Sequence, residues 1–146
     1  MINRFNIRVY GIALNIKKEV LLCTENHQSI LFTKFPGGGL EFGEGIADCL
    51  QREFGEETNT SITIIKHFYT TDFFQRSAFI KTDQLISVYY LVKLNHELAG
   101  LHFSHQNTTL HFFWKPIQEL SEEDVTFPID KHVVTLLKKN FDSLHL

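Results

Sequence analysis

The chain has 146 residues, of which 43% are hydrophobic and 21% are charged, and its formal net charge is −3. This balance is typical of a globular protein with one core, and it argues against a disordered chain, a collagen and a coiled coil. A slightly acidic chain also lacks the basic surface with which proteins bind duplex nucleic acid. We therefore expect one domain over residues 1–146 and no duplex partner.

The amino-terminal segment and the cysteines indicate the compartment. Polar side chains interrupt residues 1–16, so this segment lacks the continuous apolar run of a secretory signal. No segment approaches the roughly 20 apolar residues that a membrane helix needs. Cys23 and Cys49 are too few for a disulfide framework. The sequence therefore predicts a cytoplasmic protein with no membrane partner.

Segments rich in β-branched and aromatic residues predict the strands. The first expected strand is 7–16. The polar residues 25–29 separate the next two, 20–24 and 30–35, as in a hairpin. Three further strands are expected at 62–69, 85–94 and 109–114.

Two segments predict helices. Residues 45–57 contain no Pro and no β-branched run, and residues 129–141 place Val133 and Leu137 on one face at helical spacing. Pro128 precedes the second segment, where Pro suits a helix start. The order of strands, helix, strands and helix predicts an α/β fold with a mixed β-sheet and helices on its faces.

The glycine-rich segment 37–39 and the helix after it are the most informative part of the chain. Taken singly, the glycines predict a flexible turn, and glutamates on a helix usually form a solvated face. The spacing favours another interpretation. At about 100° per residue, Glu53 and Glu57 lie close to the apolar stripe of the helix rather than opposite it.

Carboxylates at that position need a compensating charge. They approach the negative end of the helix dipole and repel one another when they are partly desolvated. A hard divalent cation such as Mg²⁺ supplies the charge and prefers carboxylate oxygen. The glycines allow close approach of the backbone, with a carbonyl as a further candidate ligand, and Arg52 is suited to brace a carboxylate by a bidentate pair.

This segment resembles the signature of the Nudix hydrolase family. Phe54 stands where the family usually has an aliphatic residue, Asn59 where it has Gly, and Thr60 where it has another aliphatic residue. Asn suits a left-handed helix terminus, and none of the three departures removes a carboxylate. Residues 112–120 are also similar to a family segment that precedes the last helix. The signature positions in register are Gly38, Glu44, Arg52, Glu53, Glu56 and Glu57.

The resemblance implies a Nudix-type α/β/α sandwich and hydrolysis of a phosphoanhydride bond in a nucleoside diphosphate linked to another group, with Mg²⁺ or Mn²⁺. It implies that Gly38 and Glu44 support the loop. The general base is left open between Glu53 and a residue of a later loop, for which the candidates are Glu97, Asp83 and His111. The implied metal ligands are the Gly37 carbonyl, Glu53, Glu56 and Glu57, and the implied catalytic residues are Glu53, Arg52 and Glu56.

The substrate is not specified by these residues. Lys34 could reach a phosphate or be a solvated lysine at a strand end. Phe35, with Tyr69, Phe73 and Phe74, could stack on a base, fill the core or form the interface of a homodimer. No Pro marks an ADP-ribose-specific member between positions 36 and 116. The alternative to an enzyme is a non-catalytic nucleotide-binding or sensor domain of the same fold.

Overall fold

The computed structural model describes residues 1–105 and 107–144 and arranges eight strands in two four-stranded sheets. The first sheet has the order β4-β1-β6-β5 and the second has the order β3-β2-β8-β7. Two α-helices pack with them. The bounds are β1 Arg4–Ala13, β2 Glu19–His27, β3 Ile30–Lys34, β4 Gly37–Gly39, α1 Ile46–Thr58, β5 Ile62–Thr70, β6 Asp83–Leu94, β7 His102–His105, β8 Thr108–Pro116 and α2 Pro128–Lys139.

The first sheet is mixed, as predicted, because β1 runs parallel to β6 and antiparallel to β4. The expectation of one sheet was incomplete, since β2, β3, β7 and β8 form a second, antiparallel sheet. Strand β1 ends at Ala13 rather than at residue 16. The Asn15 side chain accepts hydrogen bonds from the backbone amides of Lys17 and Glu19, and this local turn ends the strand.

The glycine segment is a strand and not a flexible turn. Gly37 to Gly39 pair antiparallel with Tyr10 to Arg8 of β1. Gly37 has φ +146, and a Cβ at this position would lie 2.1 Å from the Val9 carbonyl oxygen. Only glycine lets the two backbones come this close, so the short strand β4 is fixed against β1.

Each helix buries one apolar face, as the periodicity predicts. Cys49, Leu50 and Phe54 of α1 join one core cluster, and α2 contributes Val133 and Leu137 to the other. The two clusters cover both sides of β1, so the helices flank the strands that carry the glycine segment.

Helix α1 ends as the departures in the signature suggested. Asn59 adopts the left-handed conformation with φ 55, and its amide donates to the Gly55 carbonyl. Thr60 is buried, and its hydroxyl has no hydrogen-bond partner among the described residues. A polar atom buried in this way costs stability, so Thr60 is a poor substitute for an aliphatic side chain. No helix in the described part of the chain is long and apolar enough to cross a membrane.

Candidate active site

Strand β4 brings the backbone directly against the glutamates of α1. A Cβ on Gly38 would lie 2.4 Å from the carboxyl carbon of Glu53. Any larger residue would push the Glu53 side chain out of its place, so Gly38 is required by close packing. The structure thus unites the glycine strand and the helix glutamates at one place.

The three glutamates at the end of α1 differ in exposure. Glu57 is 4% exposed, whereas the side chains of Glu53 and Glu56 are 14% and 38% exposed. Burial is the largest cause that raises the pKa of Glu57, the Lys34 ammonium opposes it, and the carboxylate of Glu53 adds to it. Glu53 and Glu57 therefore face inward, and Glu56 lies at the outer rim.

Arg52 ties the loop before α1 to the helix. Its Nη2 and Nε donate to the two carboxylate oxygens of Glu44 at 2.7 and 3.0 Å. Its Nη1 donates to Glu53 Oε1 at 2.9 Å, and its Nη2 also donates to the Gly39 carbonyl. The Arg52 guanidinium lowers the pKa of Glu44 to about 2. Arg52 therefore holds the loop, the glycine strand and Glu53 in one arrangement.

Lys34 is a buried cation close to the glutamates of the site, and it is not a solvated lysine at the end of a strand. It is 4% exposed, and its Nζ lies 3.3 Å from Glu25 Oε1 and donates to the Gly37 carbonyl oxygen at 3.2 Å. The Coulomb attraction of Glu57 and Glu25 outweighs desolvation, so the pKa of Lys34 is raised above its usual value. Lys34 therefore offsets the negative charge of the Glu25 and Glu57 carboxylates.

A cavity of about 620 Å³ opens beside these groups. Glu53 and Glu57 line the cavity, and so do Asp130 and Tyr89. Asp130 is buried, and its Oδ1 accepts a hydrogen bond from the Tyr89 hydroxyl at 2.5 Å. The cavity is thus large enough for a nucleotide-sized ligand, and the carboxylates of its lining include those of Glu53, Glu57 and Asp130.

A family model described as the NUDIX domain matches residues 4–137. The chain belongs to the Nudix hydrolase family. Members of the Nudix family generally use divalent metal ions and act on small nucleotide compounds. The Nudix match covers most of the chain, including the glycine strand, α1, all but the last two residues of α2, and every described residue that lines the cavity.

The fold is that of known Nudix structures. The Escherichia coli ORF135 protein is 16% identical, with a TM-score of 0.75 over 96% of this chain and 93% of that one. A NUDIX hydrolase from Nitrosomonas europaea is 18% identical, with a TM-score of 0.74 over 97% of this chain and 96% of that one. At these identities the similarity shows the Nudix fold, whose α/β arrangement the sequence predicted.

One curated relative is similar in sequence. The mRNA-decapping protein OPG122 of Variola virus is 32% identical over 91 residues, in a match that covers 51% of this chain and 36% of that protein. The chain therefore spans little more than a third of the length of this relative.

A divalent cation fits the donor chemistry of this Nudix site. Glu57 Oε2 is buried without a hydrogen-bond partner among the described residues, and two neighbouring carboxylates repel each other unless a proton or a cation compensates them. Over residues 1–105 and 107–144, however, no three acidic, His or Cys side chains are arranged to hold an ion. Two of the expected ligands are already engaged by cations, since Arg52 binds Glu53 Oε1 and Lys34 binds the Gly37 carbonyl oxygen.

Phe35 and Asp83, two of the candidates that the sequence left open, lie in the interior of the protein. Phe35 is fully buried and packs edge-on against Tyr89 in the core, so its ring has no surface for stacking on a base. Asp83 is buried too, and Arg4 and Asn6 bind its carboxylate.

The other candidates for a base or a stacking ring are also away from the cavity. Its described lining includes none of Glu97, Asp83, His111, Tyr69, Phe73 and Phe74. The aromatic side chains that do line it are Tyr10, Phe32, Phe79, Tyr89 and Phe127.

Glu25 is, with Asp130, one of the two acidic residues in the described cavity lining that the sequence did not single out. It lies in β2, which extends to His27, whereas the expected strand ended at residue 24. The hairpin turn is only Gln28 and Ser29, both with positive φ. Alternation along β2 from the buried Leu21 and Cys23 would have placed Glu25 on the same face of the strand.

Proposed function

We propose that this chain is a pyrophosphohydrolase that cleaves a phosphoanhydride bond in a nucleoside diphosphate linked to another group, with Mg²⁺ or Mn²⁺. The observation that carries the proposal is the inward-facing pair Glu53 and Glu57 in the lining of a nucleotide-sized cavity, with Glu53 packed against Gly38. A merely structural use of the fold would leave the buried, unpartnered oxygen of Glu57 unexplained.

The positions of the acidic residues support separate roles as metal ligands and as proton acceptor. Glu53 and Glu57, with Glu56 at the rim and the Gly37 carbonyl, would hold the cation. When bound, the cation neutralises phosphate charge and lowers the pKa of a bound water. Glu53 is our proposed proton acceptor for the attacking water, because it lines the cavity and Arg52 binds only one of its two carboxylate oxygens.

Lys34, Arg52 and Glu44 keep the carboxylates in place. Lys34 balances Glu57 and Glu25 and binds the Gly37 carbonyl, so we assign it to the site itself rather than to the substrate. Arg52 and Glu44 fix the orientation of Glu53. Prearranged charges of this kind supply much of the rate in phosphoryl chemistry.

The match to the viral decapping protein adds one substrate to those that must be tested. An mRNA cap is itself a nucleoside diphosphate linked to another group, so decapping falls within the proposed reaction. We propose the cap as one candidate beside nucleoside triphosphates, nucleotide sugars, ADP-ribose and dinucleotides.

The experiment is a product assay on this panel with Mg²⁺, Mn²⁺ or EDTA. We expect metal-dependent release of a nucleotide from at least one compound. Glu57→Gln should reduce the rate by about a hundredfold or more with the fold retained, as removal of one electrostatic stabiliser does, whereas Glu119→Gln, at an exposed position, should not. Binding of a panel compound without metal and without turnover would instead support the non-catalytic sensor.

A further inference from the structure

Arg8 is a cation in the lining of the cavity, and the proposed function assigns it no role. It lies in the middle of β1, paired with Gly39 of β4 on one side and with Ser87 of β6 on the other. A Cβ on Gly39 would be 3.4 Å from Arg8 Nη1. Because Gly39 has no side chain, the guanidinium borders open space next to the glutamates of the cavity.

The hydrogen-bonding capacity of Arg8 is mostly unused. Its Nε donates to the Tyr10 hydroxyl at 3.0 Å. No other hydrogen bond of its side chain, and no carboxylate within 4.0 Å, occurs among the described residues. Arginine presents five donors in a planar fork that matches phosphate oxygens. The terminal nitrogens of Arg8 are therefore available to an anion that enters the cavity.

Ser87 adds a second donor at the same place. The residue is 2% exposed, it is paired with Arg8 across the parallel strands, and it lines the cavity. Its backbone amide and carbonyl bond Thr71, but its hydroxyl has no partner within the described residues. A hydroxyl can both donate and accept a hydrogen bond, so it can serve a ligand in the cavity.

The charged side chains that line the cavity determine where an anion can bind. Glu53, Glu57 and Asp130 all line the cavity, and their carboxylates repel an anion that has no cation beside it. Lys34 is already engaged by Glu25 and the Gly37 carbonyl, whereas no ion pair of Arg8 or Arg76 occurs among the described residues that line the cavity. Of these two arginines, Arg8 is the one paired with the glycine strand that packs against Glu53.

We propose that Arg8 of β1 binds a phosphate group of the substrate and that the Ser87 hydroxyl of β6 assists as a second hydrogen-bonding group. The inference rests on the proposed function and deepens it. A phosphate held there lies beside the metal-binding glutamates, and the rest of the nucleotide extends toward Asp130. Arg8 thereby selects phosphorylated ligands over the corresponding nucleosides, and it does so without the metal.

The test compares nucleosides with their 5′-monophosphates in EDTA, where the metal makes no contribution. Titration calorimetry with adenosine, guanosine, AMP and GMP gives the gain in affinity that the phosphate provides. For the wild-type protein we expect a gain of about tenfold or more for at least one pair, the scale of a charge-assisted bidentate contact. Arg8→Gln should reduce the gain to near one, and Arg8→Lys should retain part of it.

Lys66→Gln is the matched control, because it removes one positive charge from an exposed position of β5. It should leave the gain unchanged. A far-ultraviolet spectrum and a melting temperature show whether each variant is folded, and Arg8→Lys keeps the test decisive if Arg8→Gln does not fold.

The proposal is overturned if the wild-type protein shows no phosphate-dependent gain or if Arg8→Gln keeps the wild-type gain. Its failure is distinguishable from failure of the proposed function, since these titrations contain no metal and no turnover. A protein that hydrolyses its substrate but binds phosphate independently of Arg8 would refute only this inference.

Discussion

Replacing Asp130 by Asn should change how the stability of the protein depends on pH. Asp130 is 3% exposed at the start of α2. Burial is the largest cause of its altered acidity and raises its pKa from the ordinary value of 3.8 to about 6, although the Tyr89 hydrogen bond and the charges of Lys34 and Arg8 oppose the rise. The folded protein therefore holds this proton more tightly than the unfolded chain does.

The sign follows from proton linkage. Between the unfolded and folded pKa values the folded state binds more protons, so the free energy of unfolding decreases as the pH rises through this window. One pKa unit corresponds to about 1.4 kcal/mol, and a shift of about two units corresponds to roughly 3 kcal/mol once the pH is well above the folded pKa. Asn cannot ionise, yet its carbonyl oxygen can still accept from the Tyr89 hydroxyl.

We therefore expect Asp130→Asn to gain stability over the wild-type protein as the pH rises. Linkage predicts that the wild-type penalty grows from about 1 kcal/mol near pH 4.5 to about 3 kcal/mol near pH 8. Urea denaturation of both proteins across this range measures the difference, and Asp142→Asn, at an exposed position, controls for the loss of one charge. A difference in unfolding free energy between the wild-type protein and the Asp130→Asn variant that stays constant with pH would refute the reasoning.

Two further substitutions test the support of the glutamates. Gly38→Ala must displace the Glu53 carboxylate, because a Cβ at position 38 would approach it to 2.4 Å. We expect Mn²⁺ affinity and turnover to fall about tenfold or more, with little change in melting temperature. Unchanged Mn²⁺ affinity would count against a role of Glu53 in metal binding. Arg52→Lys loses the bidentate bond to Glu44 and should lower the melting temperature at neutral pH. Because the pKa of Glu44 is depressed to about 2, its contribution is present above its unfolded pKa and is lost as the pH falls toward 2. Melting curves of both proteins should therefore converge at low pH, and a constant gap would contradict the assignment.

The helices and the signature could be predicted because their signals are local. The apolar stripe of α1 repeats at helical spacing, and Pro128 stands at the start of α2. The left-handed end of α1 at Asn59 follows from the same local rules. Each of these features depends on residues that are close in the sequence.

Features that depend on pairing between distant segments were missed. Strand β4 consists of three glycines, which have low strand propensity, and it forms only because β1 accepts it as a partner. Lys34 is buried because Glu25 reaches it from the neighbouring strand, and no pattern within residues 30–35 indicates that partner. Arg8 borders a cavity only because Gly39 lies opposite it, so composition could not single it out.

The most direct test of the proposed reaction is hydrolysis of the panel in water enriched in ¹⁸O. We predict that one phosphorus-bound oxygen of a product carries the label, that labelling requires Mg²⁺ or Mn²⁺, and that Glu57→Gln abolishes most of it while Glu119→Gln does not. Absence of label in every product, or label that appears equally in EDTA, would contradict metal-dependent attack of water on a phosphoanhydride at this site.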